Sequence, residues 1–357
     1  MVGLTLAELG GWPAVLGRLL RREDLSADEA AAAFESVLSG EATSAQIAAF
    51  AAALRTKGET VEEMTGLVAA MRARAEPVEI AGEVVDTCGT GGDRSGSINV
   101  STVSALVVAA SGAKVCKHGG RASSSLAGSA DVFEALGVTV GLGPAGVSRC
   151  IEEAGIGFCL APRFHPAMRH AAPVRRELGV ATVFNFLGPL ANPARAARQL
   201  LGVGDAGMAE KMLAVLEANG AVRAMVVHGE DGLDELSLGA PTRVLELTRG
   251  PSGEAIVARY VLEATDFGLA RAAVDELKGG DARHNAELVR RVLAGERGPR
   301  RDFVVWNSAG ALVVAGTAPD FAAGVALAAA LVDSGAVARV LDRLVECSAE
   351  AAAAGLT

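Results

Sequence analysis

The chain has 357 residues, half of them apolar and 4% aromatic, and a formal net charge of −9 at pH 7. This length predicts one large domain with a smaller one, and the acidic balance argues against a nucleic acid as the main partner. No apolar run reaches the ~18 residues of a membrane span, and no basic segment precedes an apolar core at the N-terminus, so we expect neither membrane association nor a signal peptide.

The cysteines and histidines show no pattern of a metal site. The five cysteines form no C-x-x-C pair, and the five histidines show no zinc-like spacing. This usage is typical of reduced thiols, so we expect a cytoplasmic protein. Cys116 and Cys159 lie in apolar, strand-like runs and are predicted to be small core residues. Cys88 adjoins a glycine-rich loop, which leaves open a reactive thiol there.

Residues 1–78 show only helical patterns. Three segments begin with a hydroxyl residue followed three positions later by Glu or Gln, the capping-box pattern of a helix start. These pairs are Ser26 with Glu29, Thr43 with Gln46, and Thr60 with Glu63. Pro77 and the strand-like residues after it predict the end of a small, all-helical N-terminal domain.

From residue 79 to 357, short apolar strands alternate with helices. This pattern predicts a large α/β domain with a mostly parallel central sheet. The strands are expected at Val138–Val140, Gly157–Leu160, Ala181–Phe184 and Val222–Val227. The helices are expected at Ala206–Asn219, Ala286–Ala294 and Phe321–Val332.

The segment Asp86–Ser125 is predicted to form a strand, a glycine-rich loop, a helix, a second strand and a second loop. Glycines let backbone N–H groups approach an anion closely, and the start of the helix Asn99–Ser111 adds positive partial charge. The second loop adds a cation, Lys117, and the serines Ser123–Ser125. Two anion-binding loops on neighbouring strands predict a ligand with more than one phosphate.

Two later stretches carry charged groups. A helix predicted between Pro166 and Leu178 carries Arg175, and a solvated basic face is the usual role of such an arginine. Asp234 and Glu235 follow a predicted strand. Adjacent carboxylates are common in solvent-facing turns, but beside a diphosphate they become good ligands for Mg²⁺, which prefers hard oxygen donors.

Together, these stretches resemble the anthranilate phosphoribosyltransferase family, in the family's order and over nearly the whole chain. The segments that carry the resemblance are Asp86–Asp93, Asn99–Thr102, Lys117–Arg121, Gly128–Gly137, His165–Met168, Pro173–Gly179, Val183–Pro193 and His228–Glu235. The resemblance implies a nucleoside phosphorylase/phosphoribosyltransferase-like fold and a step in tryptophan biosynthesis. In that step phosphoribosyl pyrophosphate (PRPP) transfers its phosphoribosyl group to the amino group of anthranilate and releases pyrophosphate.

The resemblance also implies site residues, with Mg²⁺ as cofactor and no covalent nucleophile. The residues expected to bind PRPP are Gly89, Thr90, Gly91, Gly92, Asp93, Ser97, Asn99, Ser101, Thr102, Lys117 and Ser129. Those expected to bind anthranilate are Gly89, His118, Gly120, His165 and Arg175, with the Arg175 guanidinium on the carboxylate. The expected metal ligands are Ser101, Asp234 and Glu235. Residues 1–78 are expected to form a homodimer contact, and residues 165–195 an acceptor-side hinge.

One position departs from the family pattern. Relatives have Lys-His-Gly-Asn-Arg where this chain has Gly120 in place of the asparagine. Losing one hydrogen bond to a charged acceptor costs on the order of 1.5–3 kcal/mol. This leaves open a phosphoribosyltransferase for a different aminobenzoate-like acceptor. A second alternative, a non-catalytic relative that binds nucleic acid, is disfavoured by the isoelectric point near 5.2 and by the carboxylate pair Asp234 and Glu235.

Overall fold

The computed structural model describes residues 4–122 and 126–357, so the predicted role of Ser123–Ser125 lies outside the described residues. Within the described residues, no single helix is long and apolar enough to cross a bilayer. One pair of helices, Phe321–Asp333 with Ala336–Ala353, passes that test only jointly, by length and composition, and is bent by 64° at its break.

The N-terminal part is helical, as predicted. Its helices are α1 (Gly11–Leu20), α2 (Ala27–Leu38), α3 (Ser44–Lys57) and α4 (Val61–Ala73). All three predicted capping boxes are present, at the starts of α2, α3 and α4. In each box the side-chain hydroxyl accepts a backbone N–H and the Glu or Gln side chain accepts the N-cap N–H, so local sequence alone defines these helix starts.

A seven-stranded sheet forms the centre of the large α/β part. Its strands are β1 (Val85–Gly89), β2 (Val115–Gly119), β3 (Ile156–Leu160), β4 (Arg198–Gly202), β5 (Arg223–Gly229), β6 (Thr242–Arg249) and β7 (Ala255–Leu262). The spatial order is β3-β2-β1-β4-β5-β6-β7. Strands β1 to β5 are parallel, and β6 and β7 add an antiparallel edge. The predicted fold class is therefore confirmed.

Further helices cover the sheet and link the strands. They are α5 (Val100–Ala110), α6 (Ser129–Leu136), α7 (Pro144–Ala154), α8 (Ala161–Phe164), α9 (Ala172–Leu178), α10 (Phe184–Leu190), α11 (Ala209–Ala218), α12 (Ala282–Leu293), α13 (Pro299–Ala315), α14 (Phe321–Asp333) and α15 (Ala336–Ala353). Helix α5 is buried almost completely and packs on α13, which carries the fully buried Trp306.

Two predicted strands are wrong. Val138–Val140 pairs with none of the described strands, and the Thr139 N–H donates instead to Ser348 Oγ on α15, at 3.0 Å. Ala181–Phe184 leads into α10, and the Thr182 N–H donates to Asn185 Oδ1 at 3.1 Å. The strands predicted at 157–160 and 222–227 are confirmed as β3 and β5, whereas β4, β6 and β7 were not predicted.

Helices α9 and α10 pack on the N-terminal helices, and α10 also contacts the sheet. Phe184 of α10 stacks on Phe34 of α2 with ring centroids 5.7 Å apart. Val174 of α9 lies in the same apolar cluster. The helix predicted from Pro166 is divided into a 3₁₀ turn and α9, separated at Ala171. The N-terminal helices therefore support one wall of the cleft described next.

Candidate active site

A cleft of about 570 Å³ opens at the carboxyl ends of β1 and β2. Strand β1 lies between β2 and β4, so the chain leaves β1 toward one side and returns on the other. In open α/β sheets, ligands bind at such a switch point, outside the carboxyl ends of the strands. The volume is in the range of a small-molecule site.

Most of the predicted site residues line this one cleft. They are Gly89, Thr90, Gly91, Gly92, Asp93, Ser97, Asn99, Ser101, Lys117, His118, Gly120, Ser129, Arg175, Asp234 and Glu235. Residues from five separate stretches of the sequence are thus brought together by the sheet.

Two predicted site residues do not line it. Thr102 is fully buried, because it follows Ser101 by one position and a helix turns about 100° per residue, away from the cleft. His165 is 3% exposed and lies behind His118, with ring centroids 5.0 Å apart. In this structure, neither Thr102 nor His165 is therefore placed to contact a ligand in the cleft directly.

The glycine-rich loop after β1 is held by hydrogen bonds from neighbouring strands. The Thr90 N–H donates to Gly202 O at 2.9 Å, and the Gly91 N–H donates to Asp234 Oδ2 at 2.7 Å. These two amides are therefore engaged within the protein, which leaves the other amides of the loop for an anion. Gly91 and Gly92 have φ of 69° and 85°, which favours glycine at both positions.

Glycines also make room for the carboxylate of Asp234. A Cβ on Gly89 would lie 2.3 Å from Asp234 Oδ2, and a Cβ on Gly202 would lie 1.5 Å from Asp234 O. Only glycine at the ends of β1 and β4 permits this approach. The sequence analysis did not predict a site role for Gly202, because it did not predict β4, the strand that ends at this glycine.

Three carboxylates crowd one side of the cleft. Burial, and then the nearby Asp93, raises the pKa of Asp234 to about 7. Burial and the charge of Asp234 raise the pKa of Glu235 well above its usual range, while Lys117 acts in the opposite direction. Lys117 offsets only part of the charge of these carboxylates when they are ionised, and a divalent cation would offset the rest.

The donor set fits Mg²⁺ in part. Asp234, Glu235 and Ser101 offer only oxygen atoms, the donors that Mg²⁺ prefers. Among the described residues, no group of three or more His, Cys, Asp or Glu could hold a metal ion by itself. This agrees with the usual behaviour of Mg²⁺, which keeps waters and takes one or two carboxylates together with substrate phosphates.

Lys117 is a buried cation in the middle of β2. Its Nζ donates to Thr87 O at 2.6 Å and to Ser101 Oγ at 3.4 Å. Burial lowers the pKa of Lys117, and the buried carboxyl of Asp86 opposes that shift. The protein therefore places a positive charge under the loop without exposing it to solvent.

Asp86 also joins the phosphate side of the cleft to the acceptor side, a role that no sequence signal indicated. Its carboxyl accepts the His118 N–H at 3.2 Å and Asn192 Nδ2 at 2.8 Å. Gln199 Nε2 makes a parallel link, donating to Cys88 Sγ at 3.0 Å and to Pro189 O at 2.6 Å. The segment after α10 is thereby tied to β1, β2 and β4.

The surroundings of Cys88 disfavour its thiolate form. Burial is the largest cause that raises its pKa well above the ordinary value, and the charge of Asp86 adds to it. A thiol with a raised pKa carries little of the nucleophilic thiolate at neutral pH. Cys116 and Cys159 are fully buried, which confirms their prediction as core residues.

The acceptor side of the cleft presents neutral imidazole and one guanidinium. Burial lowers the pKa of His118 to about 3 and that of His165 to about 4. His118 Nδ1 lies 3.1 Å from Gly188 O, and its Nε2 is buried without a hydrogen-bond partner among the described residues. Burial lowers the pKa of Arg175, which makes no ion pair with any described residue.

Gly120 leaves open space at the mouth of the cleft. A Cβ built on Gly120 meets no atom within 4 Å among the described residues. Its φ is not in the left-handed region, and its carbonyl accepts the Ala130 N–H at 3.1 Å. A larger side chain at this position therefore has room without backbone strain.

Comparison with known proteins identifies the class of the two domains. The helical bundle domain of the glycosyl transferase family matches residues 13–75, and the a/b domain of that family matches residues 81–338. The chain therefore has both domains of a two-domain glycosyltransferase.

Relatives narrow the class. The chain is 50% identical over 334 residues to anthranilate phosphoribosyltransferase of Chloroflexus aggregans, covering 93% of this chain and 97% of that protein. It is 53% identical over 343 residues to that of Nocardioides sp., covering 95% and 99%. The chain belongs to the anthranilate phosphoribosyltransferase family.

Solved structures agree with this assignment. The crystal structure of anthranilate phosphoribosyltransferase from Thermus thermophilus matches with a TM-score of 0.87 at 43% identity, over 94% of this chain and 99% of that one. The enzyme from Saccharomyces cerevisiae in complex with PRPP and Mg matches with a TM-score of 0.86 at 27% identity, over 95% and 98%.

Proposed function

We propose that the protein transfers the phosphoribosyl group of PRPP to the amino group of anthranilate and releases pyrophosphate. One observation carries the proposal: a single cleft joins the glycine-rich loop, the Asp234 and Glu235 carboxylates and the guanidinium of Arg175, which pairs with no described carboxylate. These groups complement a diphosphate with its cation on one side and a carboxylate on the other. The family membership supports the same reaction.

On the phosphate side, PRPP is held by the glycine-rich loop after β1 and by four side chains, those of Lys117, Asn99, Ser97 and Ser129. The buried Lys117 charge is close to Thr87 O and Ser101 Oγ, in surroundings that exclude water. A fixed charge in such surroundings stabilises the negative charge that develops on departing pyrophosphate more strongly than it would in water. No side chain needs to act as a covalent nucleophile, because the amine of anthranilate attacks C1 of the ribose directly.

On the acceptor side, Arg175 and His118 position anthranilate. The Arg175 fork donates two hydrogen bonds to the carboxylate. The neutral His118 imidazole and Gly89 line this side of the cleft, and Gly120 leaves space for the ring. Holding both reactants in line can itself supply roughly 7–11 kcal/mol of the barrier reduction.

Mg²⁺ is the proposed cofactor, held by Asp234, Glu235 and Ser101 with the pyrophosphate oxygens. Bound there, it supplies charge that stabilises the leaving group. The raised pKa of Asp234 and the oxygen-only donor set support this assignment. Alanine at both Asp234 and Glu235 should abolish most turnover and leave the chain folded. Near-wild-type turnover in that variant would refute the metal assignment.

The matched control for the metal site is Glu230→Ala. Glu230 is an exposed carboxylate of the same loop, paired with Arg243 at 3.1 Å and absent from the cleft lining. Its removal should leave turnover and Mg²⁺ dependence unchanged.

The reaction itself is tested by pyrophosphate release. Purified protein with PRPP and Mg²⁺ should release pyrophosphate only when anthranilate is present. Equal release with and without anthranilate, or none with it, would overturn the proposed function.

A different aminobenzoate-like acceptor is the second candidate, and the open space at Gly120 favours it. Ring-substituted aminobenzoates tested beside anthranilate distinguish the two. A preference of tenfold or more for a bulkier acid, roughly 1.4 kcal/mol, would favour this second candidate.

We also propose that the protein is a homodimer whose contact is formed by the N-terminal helices. The exposed side chains Leu4 and Leu20 of this part support it, at 40% and 76% exposure. Sedimentation equilibrium should give twice the chain mass of 36.1 kDa. Leu20→Glu should shift that value toward the monomer, and a monomeric wild type would refute the proposal.

A further inference from the structure

Two side-chain amides form a continuous chain of hydrogen bonds that ends at the cleft. Asn285 on α12 is 3% exposed and is not among the residues that line the cleft. Its Oδ1 accepts the Gly280 N–H at 2.7 Å, and its Nδ2 donates to Asn99 Oδ1 at 2.9 Å. Asn99, which does line the cleft, in turn donates from Nδ2 to Ala127 O at 3.0 Å.

Backbone groups at the two ends fix the direction of this chain. The Gly280 N–H can only donate, and Ala127 O can only accept. Rotating the amide of either Asn285 or Asn99 by 180° would therefore place donor against donor or acceptor against acceptor at two positions. The orientation of the Asn99 amide in the cleft is therefore fixed by two partners, Ala127 O on one side and the Asn285 amide on the other.

The segment just before α12, residues 277–280, is fixed by the same residue. The Gly279 N–H donates to Gly96 O at 2.9 Å, next to the loop that carries Asn99. A Cβ on Gly279 would lie 2.3 Å from Asn285 Oδ1, so glycine is needed for this close approach. Asn285 thus binds both the backbone beside the loop and the side chain that the loop presents.

We propose that Asn285 is a positioning residue for PRPP, acting through Asn99 without touching the substrate. The inference rests on the proposed function, in which Asn99 contacts PRPP. A buried polar network that is fully satisfied specifies one arrangement of its members. Without Asn285, the Asn99 side chain keeps its hydrogen bond to Ala127 O and loses the one that holds its Oδ1. Removing Asn285 should therefore weaken PRPP binding while the fold persists.

The test is a double-mutant cycle of Asn99→Ala and Asn285→Ala. The dissociation constant of PRPP with Mg²⁺ is measured by calorimetry, so the result does not depend on the acceptor. We expect Asn285→Ala alone to raise the PRPP dissociation constant about tenfold. The KM for anthranilate, measured at saturating PRPP, should change less than twofold. In the Asn99→Ala background, Asn285→Ala should raise the PRPP dissociation constant less than twofold, because the side chain that Asn285 positions is already absent.

Ser348→Ala is the matched control. The Ser348 hydroxyl is fully buried and accepts the Thr139 N–H at 3.0 Å, far from the cleft lining. Its loss should lower the melting temperature without changing PRPP affinity, which separates general destabilisation from positioning. If Asn285→Ala does not fold, Asn285→Asp replaces it in the cycle, since it keeps the volume and the acceptor for Gly280 while losing the donor.

Two results would overturn the inference. One is a PRPP dissociation constant within twofold of wild type for the folded Asn285 variant. The other is fully multiplicative effects of the two substitutions, which would mean that Asn285 acts independently of Asn99. Failure of anthranilate as an acceptor, by contrast, would overturn the proposed function and leave this binding cycle interpretable.

Discussion

Arg175 illustrates at the residue scale how this protein prepares a site for an anion. Burial lowers the pKa of its guanidinium, and no described carboxylate pairs with it. Such a partly desolvated guanidinium is stabilised most by a ligand with two acceptor oxygens, because it can donate two parallel hydrogen bonds to them. Its neighbour Arg176 is exposed and does not line the cleft, so the two arginines provide a matched pair.

Arg175→Ala should therefore raise the KM for anthranilate at least tenfold, and the KM for PRPP much less. Arg175→Lys should restore only part of the loss, because lysine keeps the charge without the fork. Arg176→Ala, measured in the same steady-state assay, should match wild type. Equal increases for both substrates would show that Arg175 contacts PRPP or supports the fold instead.

Gly120 makes a second prediction at the same scale. Gly120→Asn should be tolerated and should hold or tighten anthranilate binding, because a Cβ there meets no described atom within 4 Å and the new amide supplies a donor. Comparison of KM values for anthranilate and ring-substituted aminobenzoates checks this. Loss of activity on a bulkier natural acceptor, with anthranilate a poor substrate of the wild type, would contradict it.

At the scale of an element, one capping box also serves as a tertiary contact. Glu63 of α4 is fully buried, and its carboxylate accepts the Thr60 N–H at 2.9 Å and the Leu25 N–H at 3.0 Å. It also pairs with the buried Lys57 at 3.0 Å. A local capping motif is therefore joined to the start of α2 and to the end of α3.

Glu63→Ala should lower the free energy of unfolding by less than the about 3–5 kcal/mol of a fully unpaired buried charge, because Lys57 keeps its ion pair with Asp24 at 2.6 Å, and by more than about 1 kcal/mol, because the Leu25 N–H also loses its acceptor. The equivalent position in the capping box of α3 is the more exposed Gln46, and Gln46→Ala should cost below about 1 kcal/mol. Urea unfolding of both variants gives the comparison. Similar losses of unfolding free energy in the two variants would mean that the tertiary contacts of Glu63 add no stability beyond its capping hydrogen bond.

At the scale of the whole molecule, Arg55 connects the N-terminal helices to the α/β part. Its Nη2 lies 2.7 Å from Asp205 Oδ2, just after β4, and its Nη1 lies 3.7 Å from the buried Glu59. Its guanidinium carbon lies 5.6 Å from the ring centroid of Phe186 on α10. The loop before Asp205 continues to the cleft, where the Gly204 N–H donates to the Thr90 hydroxyl at 3.1 Å.

Breaking a fully buried ion pair costs about 3–5 kcal/mol of unfolding free energy. Arg55→Ala should cost somewhat less, because Glu59 is buried but Arg55 is partly exposed. Thermal unfolding measures the loss. Arg74→Ala is the control, because the Arg74–Glu35 pair is exposed and should contribute below about 1 kcal/mol. Equal shifts of the melting temperature would show that Arg55 is only a surface ion pair.

The sequence by itself determined the features that depend on neighbours along the chain. The capping boxes at Ser26, Thr43 and Thr60 define helix starts because all their hydrogen bonds lie within four residues. The order of strand, glycine-rich loop and helix around Gly89–Gly92 is likewise local, and so is the apolar helix α5. The ordered motifs were enough to indicate the family.

Only the tertiary structure decided what depends on residues distant in sequence. Thr102 carries the same kind of hydroxyl as Ser101, yet the packing of α5 turns it into the core. The role of Asn285 is set by Asn99, 186 positions earlier in the chain. Asp86 and Asn192 meet only because β1 and β2 lie beside the segment after α10. Such contacts follow from the sheet order, which no local pattern of residues specifies.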